Sequence, residues 1–295
     1  MILLTGASGF LGKTIQKVLS NYQLVLVGRS DADVIVDLTK QVPILPVCDI
    51  VVHAAGKAHS IPGNDKESQF FFDVNVTGTA NLLTGLESSG LPKAFVFISS
   101  VAVYGLKNGN QLTDDAPLVA NDPYGKSKIE AEHLVLAWCE KHKVICTILR
   151  LPLIAGPNPP GNLKAMINGI KKGYYFNIAG GEARKSIVLV EDVAKIIPVA
   201  ANIGGIYNLT DGYHPSFSEL SQVIARQLGK SKPLNAPMWV AKLMAKAGEL
   251  IGAKAPINSD KLNKIISTLT FDDSKAREAF GWNPTSVLNG FNIYE

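Results

Sequence analysis

Three glycines spaced three apart, Gly6, Gly9 and Gly12, stand between an apolar strand pattern at Ile2–Leu4 and the start of a helix, in the run Thr5-Gly6-Ala7-Ser8-Gly9-Phe10-Leu11-Gly12. Each has its own physical task. Gly6 permits a tight turn, Gly9 lets the backbone approach a pyrophosphate, and Gly12 lets the helix pack close to the strand. The helix start then offers free N–H groups and the positive end of its dipole to phosphate oxygens. Gly6, Ser8, Gly9, Phe10, Leu11 and Gly12 are therefore the candidate cradle of a dinucleotide.

The rhythm begun there continues through the first half of the chain. Short strand patterns at Ile2–Leu4, Leu24–Val27, Val34–Val36, Ile50–His53, Ala94–Ile98 and Val144–Leu149 are apolar on both faces, as buried parallel strands must be. Helical stretches lie between them, the clearest at Asn64–Ser89 and Pro123–Lys141. Strand–helix alternation predicts an α/β fold, a Rossmann-like doubly wound parallel sheet with right-handed crossovers. After Arg150 the pattern breaks. Leu151–Gly161 holds four prolines and two glycines, too many for a strand or helix to continue. Short strands at Ile187–Val190 and Ile206–Leu209 and helices at Phe217–Leu228, Met238–Ile251 and Asp272–Phe280 follow. The expectation is a cofactor domain of residues 1–152 plus about 187–212, the latter returning to the main sheet, and a smaller C-terminal substrate lobe of 153–186 and 213–295.

Composition narrows the class. The chain has 295 residues, 46% hydrophobic and 18% charged, in keeping with a folded globular enzyme. No apolar run approaches the ~20 residues that span a bilayer, and the N-terminus enters a strand pattern without a basic leader, which predicts a cytoplasmic protein. Cys48, Cys139 and Cys146 form an odd set without CxxC spacing and read as reduced thiols. The net charge of +4 is scattered rather than striped, which argues against nucleic acid. His53, His133, His142 and His214 show no ligand spacing, so no metal is expected.

The second strand ends in Gly28-Arg29-Ser30. An acidic residue near this point would bind the ribose 2′-hydroxyl of NAD, whereas the Arg29 guanidinium matches the 2′-phosphate of NADP. Arg29 favours NADP; Asp31 or Asp33 on the ribose is the alternative, in favour of NAD. Further on, Tyr124 and Lys128 in Asp122-Pro123-Tyr124-Gly125-Lys126-Ser127-Lys128 stand at i and i+4 on one helix face, and Ser99 and Ser100 close the strand Ala94–Ile98. A free phenol has pKa ~10, so a tyrosine working as a base near pH 7 needs a fall of ~3 units, about 4 kcal/mol. The Lys128 ammonium and a cationic nicotinamide would each favour the phenolate, and Ser100 would hold the reacting oxygen. Ser100, Tyr124 and Lys128 are the candidate catalytic residues.

With these pieces in place, the chain resembles an extended short-chain dehydrogenase/reductase of the nucleotide-sugar epimerase/dehydratase family over nearly its whole length. The matching segments are Gly6–Gly12, Asp37-Leu38, His53-Ala54-Ala55-Gly56, Asn75 in Asn-Val-Thr-Gly-Thr, Ser99–Gly105 and Tyr124–Lys128. The resemblance implies that Asp37 and Leu38 flank adenine, that Ala54, Ala55, Gly56 and Leu151 line the cofactor with Tyr124 and Lys128, and that Asn75 bends a helix. It implies a nucleotide-sugar substrate, met by Lys57, Ser100, Asn162 and Lys185, and a homodimer through the helices Asn64–Ser89 and Pro123–Lys141.

Departures from the family pattern narrow it further. The 4,6-dehydratases carry Asp-Glu where Val101-Ala102 stands, and the 3,5-epimerase/reductases carry a cysteine in a turn that here has none. Leu153 replaces the asparagine of plain 4-epimerases, and Lys185, after Arg184, replaces their diphosphate-gripping arginine. Gly56-Lys57-Ala58-His59, Pro159-Pro160-Gly161-Asn162-Leu163 and Gly281-Trp282-Asn283-Pro284 resemble a subgroup handling N-acetylated 4-keto-6-deoxy sugars in surface polysaccharide synthesis. The expected activity is reduction of such a 4-keto sugar, with UDP-sugar 4-epimerisation as the alternative. A non-catalytic dinucleotide sensor is the rival of another class, but a sensor has no need of a Ser–Tyr–Lys set. His59 is either a substrate contact or a solvent-facing loop residue. Met238–Lys254 reads as a lysine-bearing amphipathic helix, expected to pack in the substrate lobe rather than to rest on a membrane.

Overall fold

The computed structural model describes residues 1–58, 62–249 and 257–294; His59 and the end of the Met238–Lys254 segment lie outside them. The first half runs β1 (Ile2–Thr5), α1 (Phe10–Val18), β2 (Leu24–Gly28), β3 (Val34–Ile35), β4 (Ile50–His53), α2 (Asp65–Phe72), a π-helical turn (Asp73–Thr77), α3 (Gly78–Ser89) and β5 (Ala94–Ser100). It continues through β6 (Gly109–Leu112), α4 (Pro123–His142) and β7 (Ile145–Leu151). The second half comprises β8 (Leu153–Ala155), α5 (Gly161–Lys172), β9 (Asn177–Ile178), β10 (Ile187–Leu189), α6 (Val190–Ala201), β11 (Gly205–Asn208) and α7 (Phe217–Gln227). It closes with β12 (Asn235–Ala236), α8 (Met238–Glu249), α9 (Ser259–Ile266), β13 (Leu269–Phe271), α10 (Ser274–Phe280) and α11 (Val287–Gly290).

Among the described residues, seven strands form one parallel sheet in the order β11-β7-β5-β4-β1-β2-β3. Alternation along each strand sorts side chains to two cores. Leu3, Val51, Phe95 and Ile148 meet Leu82 and Leu86 of α3 and Ala131 and Val135 of α4. Ile2, Leu4, Val52, Val96 and Leu149 meet Leu11 and Ile15 of α1 and Val193 and Ile197 of α6 on the other face. The strand order reverses between β1 and β4, which pair with Thr5 opposite His53. A crevice opens beyond the carboxyl ends of strands at such a reversal, and there the glycine turn and Ala54–Gly56 come side by side.

Beyond β7 the structure departs from the sequence expectation in two places. Between Pro152 and Pro157 the chain does form a strand, β8, which pairs in parallel with β10. Three of the four residues between the prolines form it, and an isolated two-stranded pair asks little of them. Of residues 187–212, Gly205–Asn208 alone among the described residues pairs in the central sheet, beside β7, while Ile187–Leu189 serves β8. The lobe has its own core, in which Leu163 and Met166 of α5, Leu220 and Ile224 of α7, and Val287 and Phe291 enclose Ile187 and Leu189. The helix α8 attaches to the lobe through Ala241 and Ala245, which pack with Leu262 of α9.

Candidate active site

Gly6 has φ +74°, and a Cβ there would lie 2.6 Å from the Ala54 carbonyl carbon, so the turn off β1 and the loop off β4 touch through glycine alone. A Cβ on Gly12 would lie 2.1 Å from the Gly6 carbonyl oxygen, which fixes α1 close against the turn. Gly9 caps α1 without a side-chain hydrogen bond, and the first turn of the helix carries no acidic residue. Unblocked N–H groups facing the crevice fit the pyrophosphate of a dinucleotide.

The loop off β4 is held from beneath. His53 is fully buried and bridges Thr5 Oγ1 at 2.6 Å and Thr79 Oγ1 at 2.9 Å. Burial, with the Lys128 charge adding to it, pushes its imidazole down to about 3. Asn75, in the π-helical turn, accepts from the Lys57 N–H at 2.7 Å and donates to Lys57 O at 3.2 Å and to Ser127 Oγ at 2.9 Å. The loop Ala54–Lys57 is thereby tied to α4. Lys57 opens on a cleft of about 430 Å³ shared with Lys66, Glu67, Phe70 and Asp73.

Arg29 stands exposed at the tip of β2. Asp33, which with Asp31 is the alternative ribose ligand, accepts from the Leu26 N–H of β2 at 2.8 Å. Asp37 accepts from Thr39 Oγ1 at 2.7 Å. That bond lowers the carboxyl most; partial burial opposes it, and the Lys40 and Arg29 charges assist. Leu38 is fixed by Asn81 Nδ2, which donates to its carbonyl at 2.7 Å.

Ser100 ends β5, near enough to Tyr124 to favour its phenolate, and its hydroxyl accepts from the Ala102 N–H at 3.2 Å. Asp122 caps α4, accepting from the Gly125 N–H at 3.1 Å, and so starts the helix one turn before Lys128. Phe71 of α2 sits 6.0 Å from the Tyr124 ring, centroid to centroid. Burial pushes the Tyr124 phenol above the ordinary range; Ser100 opposes this and the Asp122 charge adds to it. The fall expected from Lys128 is absent, because desolvation dominates and lowers Lys128 itself to about 7, against the pull of Glu132. Lys128 Nζ donates to Ile98 O at 2.6 Å and stands 3.9 Å from the Phe97 ring centroid. Leu151 is buried opposite Ser100 in the β5–β7 register.

Below these residues lies a charged network that the sequence reading missed. Ser99 donates to Glu132, and Arg150 Nη2 pairs with Glu132 Oε2 at 2.8 Å. Arg150 Nη1 reaches Tyr104 OH at 3.0 Å, and Tyr104 donates to Asn208 Oδ1 at 2.8 Å. Asp114 accepts from the Asn208 N–H and is raised to about 6 by burial. A signal existed, since Glu132 continues the i, i+4 series of Tyr124 and Lys128 along α4. The candidate substrate residues of the lobe are on other elements. Asn162 is exposed in the first turn of α5. Lys185, bridged to Leu269, is lowered to about 8 by burial and by the Lys264 charge.

Known proteins agree with this geometry. The chain is 29% identical to a UDP-glucose 4-epimerase of Vibrio cholerae, over 97% of this chain and 92% of that one. It is 26% identical to the N-acetyl-alpha-D-glucosaminyl-diphospho-ditrans,octacis-undecaprenol 4-epimerase of Escherichia coli O157:H7, over 99% and 93% of the two chains. The solved structure of a UDP-glucose 4-epimerase from Thermotoga maritima shares the fold with a TM-score of 0.74 at 20% identity, covering 98% of this chain and 95% of that one. Residues 2–209 match the NAD dependent epimerase/dehydratase family. With that match spanning the glycine turn, the Ser100–Tyr124 pair and the whole central sheet, the chain belongs to the NAD-dependent epimerase/dehydratase family, and it is an enzyme of NAD or NADP.

Proposed function

We propose that this enzyme acts at C4 of a nucleotide-linked sugar and reduces a 4-keto-6-deoxy sugar with NADPH, as a step of surface polysaccharide synthesis. The observation that carries the reading is the meeting of Ser100, at the carboxyl end of β5, with Tyr124 and Lys128 one turn apart on α4, where Lys128 Nζ donates to Ile98 O of the same strand. The glycine cradle would hold the pyrophosphate of the dinucleotide, whose reduced nicotinamide would supply the hydride. Ser100 holds the C4 oxygen, and Tyr124 delivers the proton to it. A phenol raised by burial keeps its proton at neutral pH, as a general acid must. Lys128, held near neutrality at about 7, exchanges a proton readily one helical turn away.

Arg29 supports a cofactor with a 2′-phosphate, since Asp33 is engaged by the backbone of β2. Gly6, Ser8, Gly9, Phe10, Leu11, Gly12, Asp37, Leu38, Ala54, Ala55, Gly56 and Leu151 make up the rest of the cofactor site in this reading. Lys185 suits a diphosphate: its charge is disfavoured by burial and by Lys264, and an anion between the two relieves both effects. Lys57 and Asn162 complete the substrate contacts, and the homodimer joins through α2, α3 and α4.

A second reading, UDP-sugar 4-epimerase, is favoured by the 29% identity to the Vibrio cholerae enzyme. Two incubations separate them: the protein with UDP-GlcNAc alone, and with a UDP-4-keto-6-deoxy sugar plus NADPH. Loss of NADPH absorbance with the keto sugar is the result expected. Interconversion of C4 epimers without added cofactor would overturn the reductase in favour of the epimerase.

A further inference from the structure

The helix α8 is built the wrong way round for a surface helix. Its smallest residues face the protein: Ala241 and Ala245 are each 1% exposed and pack with Leu262, while Ile178 and Ile266 support them. Its largest face outward, with Trp239 66%, Leu243 60% and Met244 52% exposed. An amphipathic helix ordinarily buries its bulky apolar side chains, since removing them from water favours the packed state. The inversion is not confined to one element. Leu234, 71% exposed, precedes β12, and Phe176, 48% exposed, precedes β9; the two strands pair in parallel with Asn235 opposite Asn177, so these side chains stand abreast.

The charge around this face has one sign. Residues 230–249 carry four lysines and a single carboxylate, Glu249 at the far end of α8. Lys242 and Lys246 are interleaved with Trp239 and Leu243 on the outward side of the helix. A groove-binding helix shows an unbroken apolar stripe, which these lysines interrupt. Bulky apolar groups alternating with lysines suit a surface whose interior is hydrocarbon and whose rim is anionic, because lysine stems lie along apolar surface while their heads reach the charged layer.

We infer that the outward face of α8, with Leu234 and Phe176 beside it, docks on an anionic lipid bilayer. The attachment is peripheral, since no helix of the described residues is long and apolar enough to cross a membrane. Docking sets the substrate lobe against the bilayer: α9, which carries Lys264 beside Lys185, packs directly under α8.

The test uses the full chain and vesicles of phosphatidylcholine with or without phosphatidylglycerol. Trp138 and Trp282 are buried, so Trp239 reports the face by fluorescence. Cosedimentation with anionic vesicles and a blue shift of the Trp239 emission are expected, with much weaker binding to pure phosphatidylcholine. Leu243→Ser and the double variant Lys242→Glu/Lys246→Glu should each lower vesicle partitioning about tenfold or more, with circular dichroism and turnover of a soluble nucleotide sugar unchanged. No vesicle binding, binding independent of anionic lipid, or a lipid-free dimer whose mass falls to the monomer in Leu243→Ser would each overturn the inference.

Discussion

Lys128 Nζ lies 2.6 Å from the carbonyl oxygen of Ile98, so the strand that ends in Ser100 also holds the amine of the catalytic helix. A backbone carbonyl and the face of Phe97 are mild partners for a fully buried cation. Burial therefore decides its titration and brings it to about 7 from an ordinary 10.5.

The first prediction follows from that shift. Between pH 7 and about 10.5 the unfolded chain keeps a proton on Lys128 that the folded chain has released, so the stability this residue contributes rises with pH across that window. Lys128→Met removes the effect. Urea unfolding of both proteins at pH 7 and about pH 9.5 should show the variant losing ground to the native protein at the higher pH. An equal difference at both values would mean that the amine stays charged in the folded state.

In the proposed reaction Tyr124 is the proton donor, and Tyr124→Phe removes it while leaving the glycine cradle untouched. Turnover should fall by about 10²–10⁴-fold, the usual contribution of a positioned acid or base. Cofactor affinity, read by NADPH fluorescence, should stay within a small factor. Turnover at the native rate would remove Tyr124 from the reaction.

Arg29→Asp replaces the exposed cation at the tip of β2 with a charge that repels a 2′-phosphate. Hydrogen bonds to charged groups contribute about 1.5–3 kcal/mol, so the proposed preference for NADP over NAD should fall roughly 10- to 100-fold. Separate titrations of the two cofactors measure it. A native protein that binds both equally would show Arg29 to be merely solvated.

Glu132→Ala leaves the Arg150 guanidinium buried without its carboxylate and takes the acceptor from Ser99. Breaking one partner out of a buried pair costs about 3–5 kcal/mol. Thermal and urea unfolding should register that loss. A change under about 1 kcal/mol would mean that Tyr104 and the Asp114 carbonyl satisfy Arg150 by themselves.

What could be read from the sequence, and what could not, divides by the range of the forces involved. The glycine turn was legible because Gly6 and Gly12 answer to contacts a few residues away, and α4 because Asp122 and Pro123 mark its start within one turn. The sheet was legible because its strands are apolar on both faces. Leu153–Ala155 was not: its prolines argue locally against a strand, and only the distant Ile187–Leu189 makes it one. The Glu132–Arg150–Tyr104–Asn208 network was missed for the same reason, since it joins four elements across the sheet edge. The direction of the phenol's shift was not legible, because it is set first by the burial of Tyr124 itself, which the spacing of Tyr124 and Lys128 does not show.

The position of β11 beside β7 has a cost during synthesis. The outer edge of β7 stays unpaired until Gly205–Asn208 leave the ribosome, after the whole of α5, β10 and α6 has been made. At ~5–20 residues per second, that exposes Ile145–Leu151 for roughly 3–10 s. An open strand edge templates pairing with other chains. The nascent protein is therefore most vulnerable to aggregation, and most in need of a chaperone, in the interval between completion of its sixth sheet strand and arrival of its seventh.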